Sequence, residues 1–377
     1  MNKEKNNFLL LEKLPHTPKK GWPWNEESSQ TVYQKKIKNL PVITIVTPTL
    51  NQGSFIEATI RSILLQNYPR LEFIILDGGS TDNTLEIIQK YQKWISYWES
   101  KKDNGQAAAI QKGFDRSKGH YLSWVNSDDL LCKNALWSLA DFILENNNPD
   151  FIYGKAYFYE HGEFSRFEPI IENISSKALG SFPFVQPACF FSASCLKKVG
   201  PIDTSLNITF DYDLFSRMSL SGAQFQFIPA ELAIFRRQPK AKTYKYNHDW
   251  DEDRIETFSR TMRSLKVGKS LLEPMNLIGT YKHGTIKYPL TRKYSQEEKR
   301  SIIADFIHDN LYFYYADMRN FKRTFRNAQF LRLYLPEHFS SFARKYYYRS
   351  ILFKNFLFLN TLWRVFSSLF KKSPKNN

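Results

Sequence analysis

Cysteine is scarce in this sequence: Cys132, Cys189 and Cys195 are the only three in 377 residues. An odd number without CxxC spacing, and without an accompanying Cys/His cluster, fits neither a disulfide framework nor a zinc site. All three are expected to be small core residues in a reducing compartment. Long hydrophobic runs are missing as well. Phe8 to Leu11 is the one apolar stretch near the N-terminus, too short for a secretory h-region, so the chain is expected in the cytoplasm. Acidic residues are absent from Ser340 to Asn377. The histidines, His120 and His248 among them, form no constellation and are expected to be structural or surface residues.

Basic residues are plentiful: 53 Lys and Arg against 37 Asp and Glu give a formal net charge of +16. Such a balance suits an anionic partner, whether nucleic acid, phospholipid headgroups or a phosphorylated substrate. The length accommodates a catalytic domain with a smaller accessory region. Four stretches are expected: an N-terminal arm over residues 1–40, a catalytic domain over 41–245, a helical accessory region over 246–340 and a basic aromatic tail over 341–377. The arm carries a compact Gly21-Trp22-Pro23-Trp24 element and no sustained period.

From Pro41 onward, short apolar runs alternate with helical patterns, the βαβ signature of an α/β fold with a mostly parallel sheet flanked by helices. Strands are expected at Val42–Thr47, Leu71–Leu76 and His120–Val125. Between them Ile56, Ile60, Ile63 and Leu64 repeat at helical spacing, as do Leu85 with Ile88 and Ile110 with Phe114. Ligands in open α/β sheets bind beyond the carboxyl ends of the strands, which directs attention to three loops.

The first loop, Thr47-Pro48-Thr49-Leu50-Asn51-Gln52-Gly53, has small polar residues that let a ligand approach the backbone; as a plain turn it would offer Asn51 or Ser54 as N-cap. The second, Asp77-Gly78-Gly79-Ser80-Thr81-Asp82-Asn83-Thr84, sets a carboxylate directly after an apolar strand, where it can accept hydrogen bonds from a base or ribose. Asp82 is expected to cap the following helix. The third, Asn126-Ser127-Asp128-Asp129, puts two carboxylates side by side, an arrangement suited to a hard Mg²⁺ or Mn²⁺ ion gripping a diphosphate; a solvated acidic turn is the plainer alternative for Asp129.

Together these loops resemble the family 2 glycosyltransferases of GT-A fold, over about Pro41 to Thr243. The resemblance implies inverting transfer of a sugar from a UDP-, GDP- or dTDP-sugar to a glycan or lipid-linked acceptor, in surface polysaccharide or lipid-linked glycan synthesis. Past Asp249 the sequence becomes helical and charged, so a helical C-terminal extension is expected, and no nucleic-acid partner is, since such a partner explains none of the three acidic loops. Thr47, Pro48, Thr49, Asn51, Asp77, Gly78 and Gly79 fall on the nucleotide-holding segments. Asn126, Ser127, Asp128 and Asp129 fall on a variant of the Asp-x-Asp motif, with Asp128 and Asp129 as metal ligands. Asp103, Gly105, Gln106 and Lys112 lie in the donor-site stretch. Gln186-Pro187-Ala188-Cys189-Phe190-Phe191 matches the segment opening the acceptor side, and Asp211 of Asp211-Tyr212-Asp213-Leu214 matches the general base. An inverting displacement needs such a carboxylate to take the acceptor proton. Asp213 is read as helix N-terminal charge complementing the macrodipole.

Arg236 and Lys242 match a segment whose cations would neutralise the departing diphosphate. Three positions depart from the pattern: Ala108 where relatives often carry Asp or His, Gln111 where they carry Asn, and Gln238 where they carry His. Those departures motivate one alternative, a catalytically inactive relative that binds sugar nucleotides; charge and aromatics alone motivate another, a nucleic-acid-binding protein. In the tail, Tyr346, Tyr347, Tyr348, Phe353, Phe356, Phe358, Trp363, Phe366 and Phe370 stand among Arg and Lys. Interrupted by Lys354, Asn355, Asn360 and Arg364, this stretch suits peripheral association with the inner face of the membrane or docking on the protein, not spanning.

Overall fold

The computed structural model describes residues 10–28, 39–169, 171–172, 174–238, 248–315 and 321–352. The chain begins its sheet with β1 (Ile43–Thr49), β2 (Leu71–Asp77), β3 (Tyr97–Ser100) and β4 (Tyr121–Trp124), separated by helices α1 (Ile56–Leu64), α2 (Thr84–Tyr91) and α3 (Gln106–Arg116). Next come β5 (Leu130–Leu131), α4 (Ala135–Glu145), β6 (Phe151–Glu160), β7 (Glu163–Phe167), α5 (Ile174–Gly180) and β8 (Cys189–Ser192). The sheet is completed by β9 (Phe225–Arg236), after α6 (Ala193–Val199) and α7 (Phe210–Leu220).

Strand order is β3-β2-β1-β4-β8-β6-β9-β5, with β7 paired to β6. The parallel expectation holds for β1 with β2, β2 with β3 and β1 with β4, where helical crossovers join the strands. Beyond β4 the sheet is mixed: β6 and β9 are parallel, whereas β4–β8, β6–β8, β6–β7 and β5–β9 are antiparallel. Every residue of β1 is buried, as its central position requires. Ile56, Ile60 and Ile63 of α1 pack into the core over this sheet, with Phe73, Ile75, Leu136 and Leu139. The three cysteines are buried and free.

The segment 10–28 is tied down by Arg61, a buried guanidinium on α1. Its Nε donates to Pro23 O at 3.0 Å, Nη2 to Trp24 O at 2.7 Å, and Nη1 to Pro15 O and Tyr91 Oη at 3.1 Å each. Trp22 Nε1 donates to Leu131 O at 2.8 Å.

The chain divides into two compact units. The first comprises Met1–Ala178, Pro183–Thr257 and Pro289–Arg292 and contains the whole sheet. The second comprises Leu179–Phe182, Phe258–Tyr288 and Lys293–Asn377. Its described part is helical, as expected, from the later half of α8 (His248–Ser264) through α9 (Lys269–Leu277), α10 (Gln296–Tyr315) and α11 (Phe321–Tyr334). Phe258 stacks on Phe306 beside buried Met262, Ile302 and Ile307. Arg332 Nη1 donates to Tyr347 Oη at 2.7 Å, and Tyr346 and Tyr347 are buried, so this part of the aromatic tail docks on the protein. Residues from Phe353 onward, and Lys240 and Lys242, lie outside the described residues. Among the described residues no helix is long and apolar enough to cross a membrane.

Candidate active site

Three loops meet past the carboxyl ends of β1, β2 and β4. The first two are laced together: Gly78 N donates to Thr49 O at 2.9 Å, Asn51 N to Ser80 Oγ at 2.7 Å, and Thr81 N to Asn51 Oδ1 at 2.8 Å. Asn51 itself takes a left-handed conformation (φ 53°), which Asn tolerates better than most residues. Gly53 N donates to Asp82 Oδ2 at 2.9 Å, and Thr84 N to Asp82 Oδ1 at 3.0 Å. Asn83 holds the N-cap position of α2, so Asp82, one residue earlier, clamps two loops where simple capping was expected.

Asp77 is likewise occupied by its own loop. Its Oδ2 accepts from Ser80 N at 3.0 Å and Ser100 Oγ at 2.6 Å, and its Oδ1 from Ser80 Oγ at 2.5 Å. The turn that permits this needs Gly79 at φ +87°, and a Cβ on Gly78 would stand 3.2 Å from the Asp103 carboxylate. Asp103 Oδ1 in turn accepts from Gly105 N at 2.8 Å, at the start of α3.

The third loop is joined to α3 and β9. Gln106 Nε2 donates to Asn126 Oδ1 at 2.8 Å, and Asp129 Oδ1 accepts from Arg236 N at 3.0 Å. Gln238 Nε2 donates to Asp128 Oδ2 at 2.5 Å. Burial, reinforced by the Asp128 charge, pushes the Asp129 carboxyl well above its ordinary value. The Arg236 guanidinium is turned to this loop and to α1: Nε donates to Asp128 O, and Nη2 to Thr59 Oγ1 at 3.1 Å and Phe55 O at 3.2 Å.

A cleft of about 300 Å³ lies over these loops. Of the residues singled out from sequence, Pro48, Thr49, Asp103, Gly105, Gln106, Asn126, Ser127, Asp128 and Asp129 line it. Leu50, Gln52, Ala109 and Phe235 line it too; they lie in the segments read from sequence but were not named as site residues. The Oγ1 atom of buried Thr49 has no hydrogen-bond partner among the described residues, and Gln52 Oε1 shares that condition. Thr47, Asn51, Asp77, Gly78, Gly79, Lys112, Asp211 and Arg236 are not in its lining. Thr47 is fully buried with its Oγ1 also unpartnered, and Lys112 pairs with Glu99 at 2.5 Å on α3.

Asp211 occupies the first turn of α7, directly after Phe210, whose ring lies 6.0 Å from Trp124 at the end of β4. Burial raises its carboxyl to about 7, against the opposing hydrogen bond from Tyr212 N at 2.7 Å. Gln186 Nε2 donates to Trp124 O at 2.9 Å, so the Gln186-Pro187-Ala188 segment and the start of α7 converge on one strand end. Asp213 lies in the same first turn, at the helix N-terminus as expected, and has a second role there. It is fully buried and pairs with Arg217 Nε at 2.8 Å, while Arg217 Nη1 and Nη2 hold the carbonyls of Val199 and Pro201 at 2.8 Å each.

Among the described residues no group of three or more His, Cys, Asp or Glu is placed to hold a metal alone. Asp128 nevertheless lines the cleft, with its Oδ2 held by Gln238. A hard cation shared with a diphosphate needs only one or two carboxylates, the remaining ligands being phosphate oxygens and water. The residues present fit that use.

Residues 44–196 match the family model described as Glycosyl transferase family 2. Over 272 residues the chain is 28% identical to Glycosyltransferase GlyG of Streptococcus pneumoniae serotype 4, covering 66% of this chain and 89% of that one. It is 36% identical over 118 residues to the poly(ribitol-phosphate) beta-N-acetylglucosaminyltransferase TarP of Staphylococcus aureus, a match spanning 30% of this chain and 36% of TarP. Among solved structures, S. aureus TarS 1–349 in complex with UDP superposes with a TM-score of 0.53 at 16% identity, covering 82% of this chain and 88% of that one. The same protein in complex with UDP-GlcNAc gives equal figures. These two likenesses establish the shared fold.

Proposed function

We propose, from the premise that the chain belongs to glycosyl transferase family 2 and is a glycosyltransferase, that it moves a sugar from a nucleoside-diphosphate sugar to an acceptor hydroxyl with inversion. The observation that supports this most is the convergence of Thr49, Asp103, Gln106, Asn126 and Asp128 on one cleft. It lies where open α/β sheets bind nucleotides. TarS has been seen with UDP and UDP-GlcNAc, which favours a UDP-sugar over GDP- and dTDP-sugars. TarP is named for a polymeric acceptor, which favours a glycan or lipid-linked acceptor in cell-surface polymer synthesis. The net charge of +16 suits an anionic polymer or a membrane surface at its inner face.

In this reading Asp128 would hold an Mg²⁺ or Mn²⁺ ion, which when bound would offset negative charge on the departing diphosphate. Asn126, Gln106 and the Asp103–Gly105 turn orient the donor from the wall of the cleft. Arg236 contributes from behind, by fixing the backbone of the turn that carries Asp128. Asp211 takes the acceptor hydroxyl proton. With its carboxyl raised to about 7, it is a stronger base than an ordinary aspartate and becomes predominantly ionised only above neutrality.

The test is the stereochemistry and rate of transfer. Anomeric proton NMR of the first-formed product should show configuration opposite to that of the donor, and Asp211→Ala should lower turnover roughly 10²-fold or more. A product of retained configuration, or near-full turnover by a natively folded Asp211→Ala, would remove the mechanism.

A further inference from the structure

Helix α1 carries two faces of different character. Ile56, Ile60 and Ile63 enter the hydrophobic core, whereas Thr59, Ser62 and Gln66 form a buried polar stripe on and just past the helix at spacings of three and four. Buried polar groups must find partners, and these find theirs in a single stretch of chain. Ser62 Oγ accepts from Leu131 N at 3.1 Å, and Gln66 Nε2 donates to Cys132 O at 2.8 Å. Thr59 Oγ1 lies 2.8 Å from Ser127 O and 2.8 Å from Asp129 O, its one hydroxyl hydrogen shared between them. The same oxygen accepts from Arg236 Nη2 at 3.1 Å, and Arg236 Nε donates to the intervening carbonyl, Asp128 O. Three successive carbonyls are therefore held by two side chains, neither of which lines the cleft, whereas Asp128 does.

We infer that Thr59 is a positioning residue for Asp128: its hydroxyl and the Arg236 guanidinium set the backbone of the Ser127–Asp129 turn, and thereby the placement of the carboxylate offered to a divalent cation. The inference rests on the proposed metal role of Asp128. Thr59 is fully buried and never touches donor or cation; it acts only through the turn. A hydroxyl that fixes two carbonyls is not replaceable by a methyl group of the same shape, because both carbonyls lose this donor and the guanidinium loses one of its acceptors.

The experiment is a titration of Mn²⁺, alone and with UDP, followed by the electron paramagnetic resonance of the free ion, with thermal unfolding of each variant in parallel. Groups that orient metal ligands typically contribute about 10- to 100-fold in affinity, so Thr59→Val should weaken Mn²⁺ binding by about tenfold or more. Thr59→Ser should restore it. Ser62→Ala, which removes the acceptor for Leu131 N further along, should lower the melting temperature without changing Mn²⁺ affinity. If Thr59→Val lowers only the melting temperature while Asp128→Ala abolishes Mn²⁺ binding, the positioning role is wrong and the metal site stands. If Asp128→Ala binds as wild type does, or wild type binds no Mn²⁺ under either condition, the metal role itself fails and the inference with it. Should Thr59→Val not fold, Arg236→Met tests the same clamp from β9, and unchanged Mn²⁺ affinity there overturns the inference.

Discussion

Gln238 Nε2 and Asp128 Oδ2 stand 2.5 Å apart, joining the chain just past β9 to a residue that lines the cleft. A side-chain amide there is neutral, so it restrains the carboxylate without competing for its charge. Gln238→Ala should raise the Mn²⁺ concentration needed for half-maximal transfer by about tenfold, with kcat at saturating metal changed less. Steady-state kinetics over a metal series checks this; an unchanged metal requirement would show that Asp128 needs no such partner.

The pH dependence of the reaction should carry the signature of Asp211. A base with its carboxyl raised to about 7 must be ionised to act, so kcat/KM should rise as pH increases through about 7 and level off above it. Stability should run the other way. Because the folded-state value lies above the unfolded one, the unfolded chain loses this proton first, and stability present below about pH 4 is lost as pH rises toward 7. Asp211→Asn should flatten this part of the denaturation profile and abolish the kinetic limb; a wild-type rate profile in that variant would exclude Asp211 as the base.

The buried Asp213–Arg217 pair is structural. Removing one member leaves a buried charge without its partner, for which about 3–5 kcal/mol is typical. Arg217→Met should accordingly lower the unfolding midpoint strongly, and chemical denaturation measures it. A midpoint within error of wild type would mean that water reaches Asp213 freely.

Arg61 holds the segment 10–28 by three of its carbonyls and also donates to the Tyr91 hydroxyl on α2. Arg61→Ala should destabilise by about 3 kcal/mol, the upper end of ordinary single substitutions, and open this segment to protease before the sheet unfolds. Uniform protection throughout a limited-proteolysis time course would show that the segment is held by its tryptophans alone.

The architecture of the first half was legible because β1, β2 and β4 are apolar runs that end in polar loops, and because Ile56, Ile60 and Ile63 repeat at a clean helical period. β5 was not: two leucines have no period, and they become a strand only by pairing with Ala233 and Ile234, far along the chain. The residues lining the cleft were found where loop chemistry is local, as at Asp128 and Asn126. Arg236 and Asp213 were read for their charge alone. Arg236 reaches Asp128 across 108 residues, which only folding brings together. Asp213 pairs with Arg217 one helical turn on, but its burial and the Val199 carbonyl that Arg217 also holds come from folding. Thr59 gave no sign at all, since a threonine among isoleucines does not reveal what its hydroxyl will meet.

Asp128, as the link between a divalent cation and a nucleotide-sugar, is the group to test most directly. UDP-, GDP- and dTDP-sugars should be tested for Mn²⁺-dependent binding and slow hydrolysis, with wild type and Asp128→Ala side by side and folding verified for both. The account predicts that one donor binds and is hydrolysed only with Mn²⁺, and that the substitution removes both effects. Equal metal-dependent binding and hydrolysis by Asp128→Ala, or no binding of any donor by folded wild type, would contradict it.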